Sequence, residues 1–357
     1  MKKLSLIIAL LISVLTLTAC TAQDEDPGKE NTAQDITATA VPTKAPSQEE
    51  SPSLTAEPVA KKDIRIAALK GPTAIGMVKV MEDASVGTTT NNYNFTVAGA
   101  ADEISVGLVK GDFDIAAIPC NLAAVLYNKT QGKLKVAGIN TLGVLYIVET
   151  GDSIKKVEDL KGKTIYSTGL GTTPQYTLNY LLTAHGIDPE KDVTIEYKTE
   201  ATEVAALLSE ADDAIAMLPQ PYVTTVMMNN EKVKVALDVA EEWEAVSKDG
   251  SSVVTGVVVA RSEFVENNKE AFDSFLSEYA DSAAYVNENV EEASTLVEKF
   301  DIFKAAVIKK ALPYCNITLI RGEDMRTKVT GYLTVLYNQN AQAVGGALPN
   351  DDFYYIK

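Results

Sequence analysis

The chain has 357 residues, of which 46% are hydrophobic and 23% charged, a composition typical of globular proteins. Its formal net charge of -17 argues against nucleic acid as a partner and against a basic, membrane-binding face. Three cysteines and one histidine do not make a disulfide framework, and their spacing is not that of a metal site. We expect Cys120 and Cys315 to be buried thiols, with a disulfide between them as the alternative, and we expect no cofactor.

The amino-terminal residues have the layout of an export signal. A basic start precedes an apolar run over residues 4–17, which is too short to span a bilayer. Residues 17–20 read Leu-Thr-Ala-Cys and resemble the lipobox of bacterial lipoproteins. We therefore predict a signal peptide over residues 1–19 and a lipid anchor, including palmitate, on Cys20. This places the chain at the cell membrane on its extracytoplasmic face; an ordinary secretory signal with a chance cysteine is the alternative.

Residues 20–61 are predicted to be a disordered tether. The segment is rich in threonine, alanine and proline, and it has almost no large apolar side chains. It cannot bury enough surface to offset the entropy of ordering it. Because prolines and like charges keep such a chain extended, we expect the tether to give the folded part reach from the membrane.

From residue 62 onward, short apolar strands alternate with helices, as is typical of parallel α/β units. A second such run occupies residues 155–240, a β-branched strand follows at 253–260, and residues 264–339 are mostly helical. In the first run, the pattern predicts strands over 64–69, 95–98, 114–118, 133–138 and 144–149, and helices over 74–83, 103–110 and 122–128.

A short pattern recurs at an offset of one hundred residues. Residues 114–119 (Asp-Ile-Ala-Ala-Ile-Pro) return as 214–219 (Ala-Ile-Ala-Met-Leu-Pro), and 71–73 (Gly-Pro-Thr) has a counterpart in 171–173 (Gly-Thr-Thr). These matches indicate two similarly built lobes, although their shortness leaves coincidence as the alternative. Ligands of open α/β sheets bind beyond the carboxyl ends of the strands. The lobes would therefore direct four loops at one cleft, over residues 70–73, 119–121, 169–173 and 219–222.

These loops and the predicted strand at 144–149 supply polar groups suited to a small polar ligand. Hydroxyls and amides can donate and accept hydrogen bonds, and helix N-termini favour anionic or carbonyl groups. The structural alternatives are that the threonines cap helices, the lysine is solvated and the tyrosine packs in the core. Trp243 is expected to pack at a helix edge, with stacking on a ligand as the alternative. The predicted ligand-binding residues are Lys70, Thr73, Asn121, Tyr146, Gly171, Thr172, Thr173 and Gln220.

No catalytic motif is found in the sequence. Residues 162–164 (Gly-Lys-Thr) mimic the end of a P-loop, but Val157 occupies the place of its first glycine. Residues 169–171 begin like a dinucleotide-binding turn, but Pro174 stands where a third glycine is required. HExxH, CxxC and Gly-x-Ser-x-Gly patterns are also missing. We therefore expect no catalytic residue, no metal site and no enzyme activity.

Taken together, these features resemble the nitrate/sulfonate/taurine type of ABC-transporter substrate-binding protein over about residues 62–345. The resemblance implies a type II periplasmic-binding-protein fold, in which two α/β lobes enclose a ligand cleft. They would be joined by two crossing strands near 143–148 and 254–260. Lobe 1 would comprise 62–145 plus 256–357, and lobe 2 would comprise 146–255. Besides the lipobox and the tether, the similarity rests on 69–73 (Leu-Lys-Gly-Pro-Thr), 114–119, 169–173, 185–189 (His-Gly-Ile-Asp-Pro) and 218–222 (Leu-Pro-Gln-Pro-Tyr).

The resemblance implies a monomeric protein that captures a small solute and passes it to an ABC permease and its ATPase. Members of this family bind ligands from nitrate, sulfonates and bicarbonate to thiamin-related pyrimidines, so the ligand stays open. The cleft loops contain no arginine, which favours neutral or zwitterionic ligands, including heterocycles, over strong anions. One alternative is a lipoprotein that senses its ligand without transport. Another is an enzyme on this fold, similar to hydroxymethylpyrimidine synthases or chorismate dehydratases; the former need a cysteine-rich iron motif that this chain lacks.

Overall fold

Two separate β-sheets organise the folded part of the chain. The computed structural model describes residues 61–247 and 251–357. The predicted signal peptide, Cys20 and the tether up to residue 60 lie outside the described residues. The described strands are β1 (Asp63–Leu69), β2 (Asn92–Ala98), β3 (Ile115–Pro119), β4 (Leu134–Thr141), β5 (Leu145–Glu149), β6 (Thr164–Thr168), β7 (Thr194–Lys198), β8 (Ile215–Pro219), β9 (Lys234–Asp238), β10 (Gly256–Arg261) and β11 (Ile317–Ile320).

The two sheets share one strand arrangement. The first has the order β11-β4-β10-β3-β1-β2, and the second has the order β7-β6-β8-β5-β9. In the first sheet β1 runs parallel to β2 and β3, while β10 runs antiparallel to β3 and β4. In the second, β6 runs parallel to β7 and β8, while β5 runs antiparallel to β8 and β9. Since β3 and β8 hold equivalent places, the repeat at an offset of one hundred marks equivalent parts of the two sheets.

Helices pack on both faces of the first sheet, so its strands are buried on two sides. Along β1, Ile66 belongs to one apolar core and Ala67 to another, as the alternation of side chains in a strand requires. No helix of the described ranges is long and apolar enough to cross a membrane. The described α-helices are α1 (Pro72–Ile75), α2 (Val78–Ser85), α3 (Ala101–Lys110), α4 (Cys120–Lys129), α5 (Thr173–Ala184), α6 (Ala201–Glu210), α7 (Tyr222–Asn229), α8 (Val239–Val246), α9 (Ser262–Asn267), α10 (Lys269–Glu288), α11 (Val290–Lys299), α12 (Ala305–Ala311) and α13 (Gly322–Gln339).

The helix predicted over 74–83 is broken in the structure into α1 and α2. Its i→i−4 bond from the Val80 amide to the Gly76 carbonyl is replaced by the side chain of Ser282. The Ser282 hydroxyl accepts from Val80 N at 3.2 Å and donates to Gly76 O at 2.8 Å. A side chain inserted into the hydrogen-bond ladder is a usual cause of a helix break. The prediction of one helix was wrong because the interrupting residue comes from α10, far away in sequence.

The chain passes from the first sheet to the second at residues 142–144 and returns between α8 and β10. Asn316, just before β11, holds the first passage, because its backbone carbonyl accepts from Leu142 N at 3.2 Å and its Nδ2 donates to Gly143 O. The strand β11 lies within the stretch predicted to be mostly helical. The lobe boundaries drawn from the sequence stay a prediction.

Candidate functional site

The segments predicted to line a cleft follow the carboxyl ends of β1, β3, β6 and β8. In each sheet these strands are parallel neighbours, so their following segments emerge at one edge. One of the four is not a loop: β3 ends at Pro119 and α4 begins at Cys120. Asn121 therefore lies in the first turn of a helix, at the edge where ligands of α/β sheets bind.

Asn121 joins the two sheet edges directly. The side chain is fully buried, and its Nδ2 donates to Gly171 O at 3.2 Å and to Ala343 O at 3.0 Å. Its Oδ1 accepts from the Thr173 hydroxyl at 3.3 Å. The structure thus brings together Asn121, Gly171 and Thr173. The hydrogen bonds that join Asn121 to Gly171 and Thr173 hold the turn before α5 in place.

The hydroxyls of two threonines predicted to bind ligand donate hydrogen bonds to nearby backbone carbonyls. The Thr172 hydroxyl donates to Gly169 O at 2.8 Å, and the Thr73 hydroxyl donates to Leu69 O. Gly171 has φ of +77°, a conformation that favours glycine. The turns at Thr73 and Thr172 are therefore shaped by local hydrogen bonds to carbonyl oxygens. These are not the helix caps considered as the alternative, because neither α1 nor α5 has a side-chain capping bond at its start.

Gln220 and Lys70 have side-chain nitrogen donors that bond to none of the described residues. Gln220 is buried, and its Oε1 accepts from Thr224 N at 3.2 Å and from Thr224 Oγ1 at 2.8 Å. Its Nε2 makes no hydrogen bond to another described residue. The Lys70 backbone amide donates to Ala98 O at 2.8 Å, whereas its half-buried ammonium pairs with none of the described side chains.

Tyr146 lies on β5 at the same edge, one residue after the Leu145–Pro219 pair. Its hydroxyl donates to Tyr314 O at 3.4 Å, and its ring packs in a core of the second sheet. Burial, with a smaller contribution from Asp238, raises the pKa of Tyr146. The hydroxyl therefore stays protonated at neutral pH and remains a hydrogen-bond donor.

Sequence reasoning missed a group of polar side chains at the end of β4. Among the described residues, five buried side-chain atoms have no hydrogen-bond partner, and three of them come from Asn140, Thr141 and Thr255. Asn140 and Thr141 are consecutive in β4, and the backbone of Thr255 lies beside that of Thr141, because Thr255 N donates to Thr141 O at 3.1 Å. We call them the β4–β10 polar cluster. A buried polar atom without a partner costs about 1–3 kcal/mol, so these three atoms are candidates for contact with an ordered water or a ligand.

A β-bulge in β4 sets the orientation of the Asn140 side chain. Gly256 pairs with Thr141 but Val257 pairs with Ile139, so Asn140 has no partner on β10. Bulges of this kind redirect a side chain and are common beside functional sites. Gly256 is required for the arrangement, since a Cβ there would stand 2.6 Å from Asn140 Oδ1. The predicted strand 133–138 stops too early, which left Asn140 and Thr141 between elements.

The arginines of the chain are remote from this edge. Asp114, just before the amino end of β3, accepts hydrogen bonds from Arg65 Nη2 at 2.7 Å and from Arg261 Nη2 at 2.9 Å. Burial alone would raise the pKa of Asp114, but the Arg65 guanidinium, the Arg65 backbone amide and the Arg261 guanidinium together outweigh it and hold the pKa below its usual value. Arg326 pairs with Asp351, and Arg321 follows the end of β11 that points away from the cluster. The cleft edge therefore has Lys70 as its one cationic side chain among the described residues of these segments.

We expect Thr141→Val and Thr255→Val each to leave the free energy of unfolding unchanged or raise it by about 1 kcal/mol. Each removes a hydroxyl that costs desolvation without a compensating hydrogen bond. Thr177→Val is the matched control, because the buried Thr177 hydroxyl is hydrogen-bonded to Tyr332 Oη at 2.7 Å. That variant should lose about 1–3 kcal/mol. Urea unfolding followed by circular dichroism measures all three, and a loss in Thr141→Val equal to the control's would show a structural role instead.

Comparisons with known proteins agree with this architecture. Residues 133–293 match the model of the family described as "NMT1/THI5 like", a stretch of less than half the chain. A comparison with curated proteins found no match. Among solved structures, an ABC transporter protein from Parabacteroides distasonis has a TM-score of 0.69 at 22% identity, over 82% of this chain and 99% of that one.

Two further structures are similar at lower identity. The periplasmic aliphatic sulphonate binding protein SsuA from Escherichia coli has a TM-score of 0.65 at 17% identity, over 82% of this chain and 93% of that one. The ligand binding component of an ABC-type import system from Staphylococcus aureus, solved with zinc bound, has a TM-score of 0.65 at 15% identity, over 83% of this chain and 97% of that one. These likenesses confirm the predicted periplasmic-binding-protein fold, and with the family match they confirm the resemblance found in the sequence.

Proposed function

We propose that the chain is a solute-binding lipoprotein that captures a small polar molecule between its two sheets and delivers it to an ABC importer. The observation that carries the proposal is the β4–β10 polar cluster at the cleft edge of the first sheet, whose buried polar atoms have no hydrogen-bond partner among the described residues. The fold supports it, since the similar proteins from Escherichia coli and Staphylococcus aureus are a binding protein and the ligand binding component of an importer. The partners are the solute, an ABC permease and its ATPase, and the chain acts as a monomer.

The cleft residues divide into two groups in this proposal. Lys70 and Gln220 face the solute together with the β4–β10 polar cluster, because their side-chain nitrogens bond to no described residue. Tyr146 lies at the same edge, and its hydroxyl, which already donates to Tyr314 O, can accept a hydrogen bond from the solute. The remaining predicted ligand-binding residues hold the turns in place through the hydrogen bonds described above: Thr73, Asn121, Gly171, Thr172 and Thr173.

The two described cysteines are not suited to covalent catalysis. Cys120 and Cys315 are both free and buried. Burial raises the pKa of the Cys315 thiol to about 12, and burial likewise raises the pKa of Cys120. Since the thiolate is the reactive form, neither side chain is suited to nucleophilic chemistry at neutral pH.

The proposed anchor predicts that Cys20→Ala moves the protein from the membrane fraction to the soluble extracytoplasmic fraction. One lipid-bearing residue accounts for the attachment, so incorporation of labelled palmitate should be lost as well. Cys120→Ala is the matched control and should stay in the membrane fraction with its label. Retention of the Cys20→Ala protein in the membrane fraction would contradict the anchor.

The function is tested by a thermal-shift screen of the full chain against small solutes. The panel covers amino acids, pyrimidines, thiamin precursors, sulfonates, nitrate and bicarbonate. A solute at a hundred times its dissociation constant stabilises the folded state by about 2.7 kcal/mol, which is readily detected. We expect one class to stabilise the chain as an unchanged 1:1 complex. Conversion of the solute to a product, or silence across the whole panel, would contradict the proposal.

A further inference from the structure

The orientation of the Asn140 amide is fixed by its neighbours. Its Nδ2 lies 3.3 Å from Thr73 O and 3.0 Å from Tyr279 Oη. A backbone carbonyl can only accept, so the amide nitrogen must face Thr73. The oxygen, Asn140 Oδ1, therefore points the other way, is buried, and lacks a donor among the described residues.

The β4–β10 polar cluster thus combines one obligate acceptor with two adaptable groups. Asn140 Oδ1 can only accept, whereas the hydroxyls of Thr141 and Thr255 can each donate or accept. The complementary ligand group carries at least one N–H or O–H donor for Asn140 and a polar atom for the hydroxyls. A carboxamide or a cyclic amide has this pattern.

Anionic head groups do not fit this cluster. A carboxylate or sulfonate would place an acceptor against Asn140 Oδ1, and the guanidinium groups of Arg65 and Arg261 are committed to Asp114 before the opposite end of β3. Sites with buried polar groups discriminate strongly against ligands that leave those groups unpaired. Within the described segments that follow β1, β3, β6 and β8, Lys70 is the one cationic side chain.

We infer that the β4–β10 polar cluster selects an uncharged, N–H-bearing head group of carboxamide or cyclic-amide type, and that it rejects carboxylates and sulfonates. The inference rests on the proposed function and specifies the ligand chemistry of the same site. Asn140 is the selecting residue, Gly256 leaves room for its side chain, and Thr141 and Thr255 complete the recognition.

The test uses matched head groups on shared scaffolds with the full chain. Nicotinamide, nicotinate and pyridine-3-sulfonate form one triad; benzamide, benzoate and benzenesulfonate form another; and uracil supplies a cyclic amide. We expect amide members to raise the melting temperature and the matched anions to leave it unchanged. For a compound that binds, Thr141→Val and Thr255→Val should weaken affinity at least tenfold without lowering the stability of the ligand-free protein.

The outcomes separate this inference from the function beneath it. If the carboxylates or sulfonates stabilise the chain more than their amides and Lys70→Met abolishes the effect, the inference is overturned while solute binding stands. If no compound of the matched set raises the melting temperature but a solute of the broad panel does, the inference is overturned and the proposed function stands. If neither the matched set nor the broad solute panel stabilises the chain, both the inference and the proposed function fail. Equal affinity of wild type and Thr141→Val for a bound amide would also overturn the inference.

Discussion

Replacing Trp243 with alanine is expected to lower the free energy of unfolding by about 3–5 kcal/mol. The side chain is fully buried on α8. Its ring centroid lies 4.1 Å from that of Tyr180 on α5 and 5.3 Å from that of Tyr332 on α13. The indole Nε1 also donates to Ser251 O at 3.0 Å. Alanine would open a cavity where helices of the two sheets meet and would remove the indole hydrogen bond to Ser251 O.

Urea unfolding followed by circular dichroism measures this loss, because the variant lacks the single tryptophan of the chain and gives no indole fluorescence. Trp243→Phe is the matched control, since it keeps an aromatic ring between Tyr180 and Tyr332 and should lose clearly less. An alanine variant as stable as wild type would show that the contact between α5 and α13 does not depend on Trp243. A binding role for the ring instead would appear as lost affinity with unchanged stability.

Replacing Asn121 with alanine is expected to lower the free energy of unfolding by about 2–4 kcal/mol. The carbonyls of Gly171 and Ala343 and the hydroxyl of Thr173 each lose a partner, and each buried group left alone costs about 1–3 kcal/mol. Partial access of water to Gly171, which is exposed, keeps the total below the full sum. The turn before α5 also loses its link to the first sheet, so ligand affinity should fall.

Hydrogen–deuterium exchange together with urea unfolding measures both effects of Asn121→Ala. Exchange should become faster in peptides that cover residues 169–173. Asn128→Ala is the matched control, because Asn128 lies on the same helix and donates to Val344 O and Ala347 O, both at 2.7 Å, without touching the second sheet. It should lose stability but leave exchange at 169–173 unchanged. The same exchange rate there in wild type and Asn121→Ala would contradict the joining role of Asn121.

Features governed by local sequence were predictable. The strands β1, β3 and β10 are apolar runs that end near where the pattern ends, because strands buried on both faces need no polar alternation. The repeat at an offset of one hundred indicated two similarly built parts, and the strands that carry it, β3 and β8, hold equivalent places in the two sheets. The edge strand β11, with four residues between helices, was too short to give such a signal.

Features made by distant residues were not predictable. The break between α1 and α2 depends on Ser282, and the orientation of Asn140 depends on a bulge that exists only when β4 pairs with β10. Position beyond a strand end correctly placed Asn121 at the edge of the sheet. The same reasoning could not show that the Asn121 amide donates a hydrogen bond to Ala343 O, because Ala343 lies 222 residues away in sequence.

The most direct test of solute binding between the two sheets is hydrogen–deuterium exchange of the full chain, with and without a compound that stabilises it. We predict slower exchange at the strand ends of both sheets together, in peptides covering residues 69–73, 139–144, 219–221 and 253–256. Protection confined to one sheet, or to the surface groove between α2 and α10 that Lys79, Glu278 and Tyr285 line, would contradict the account.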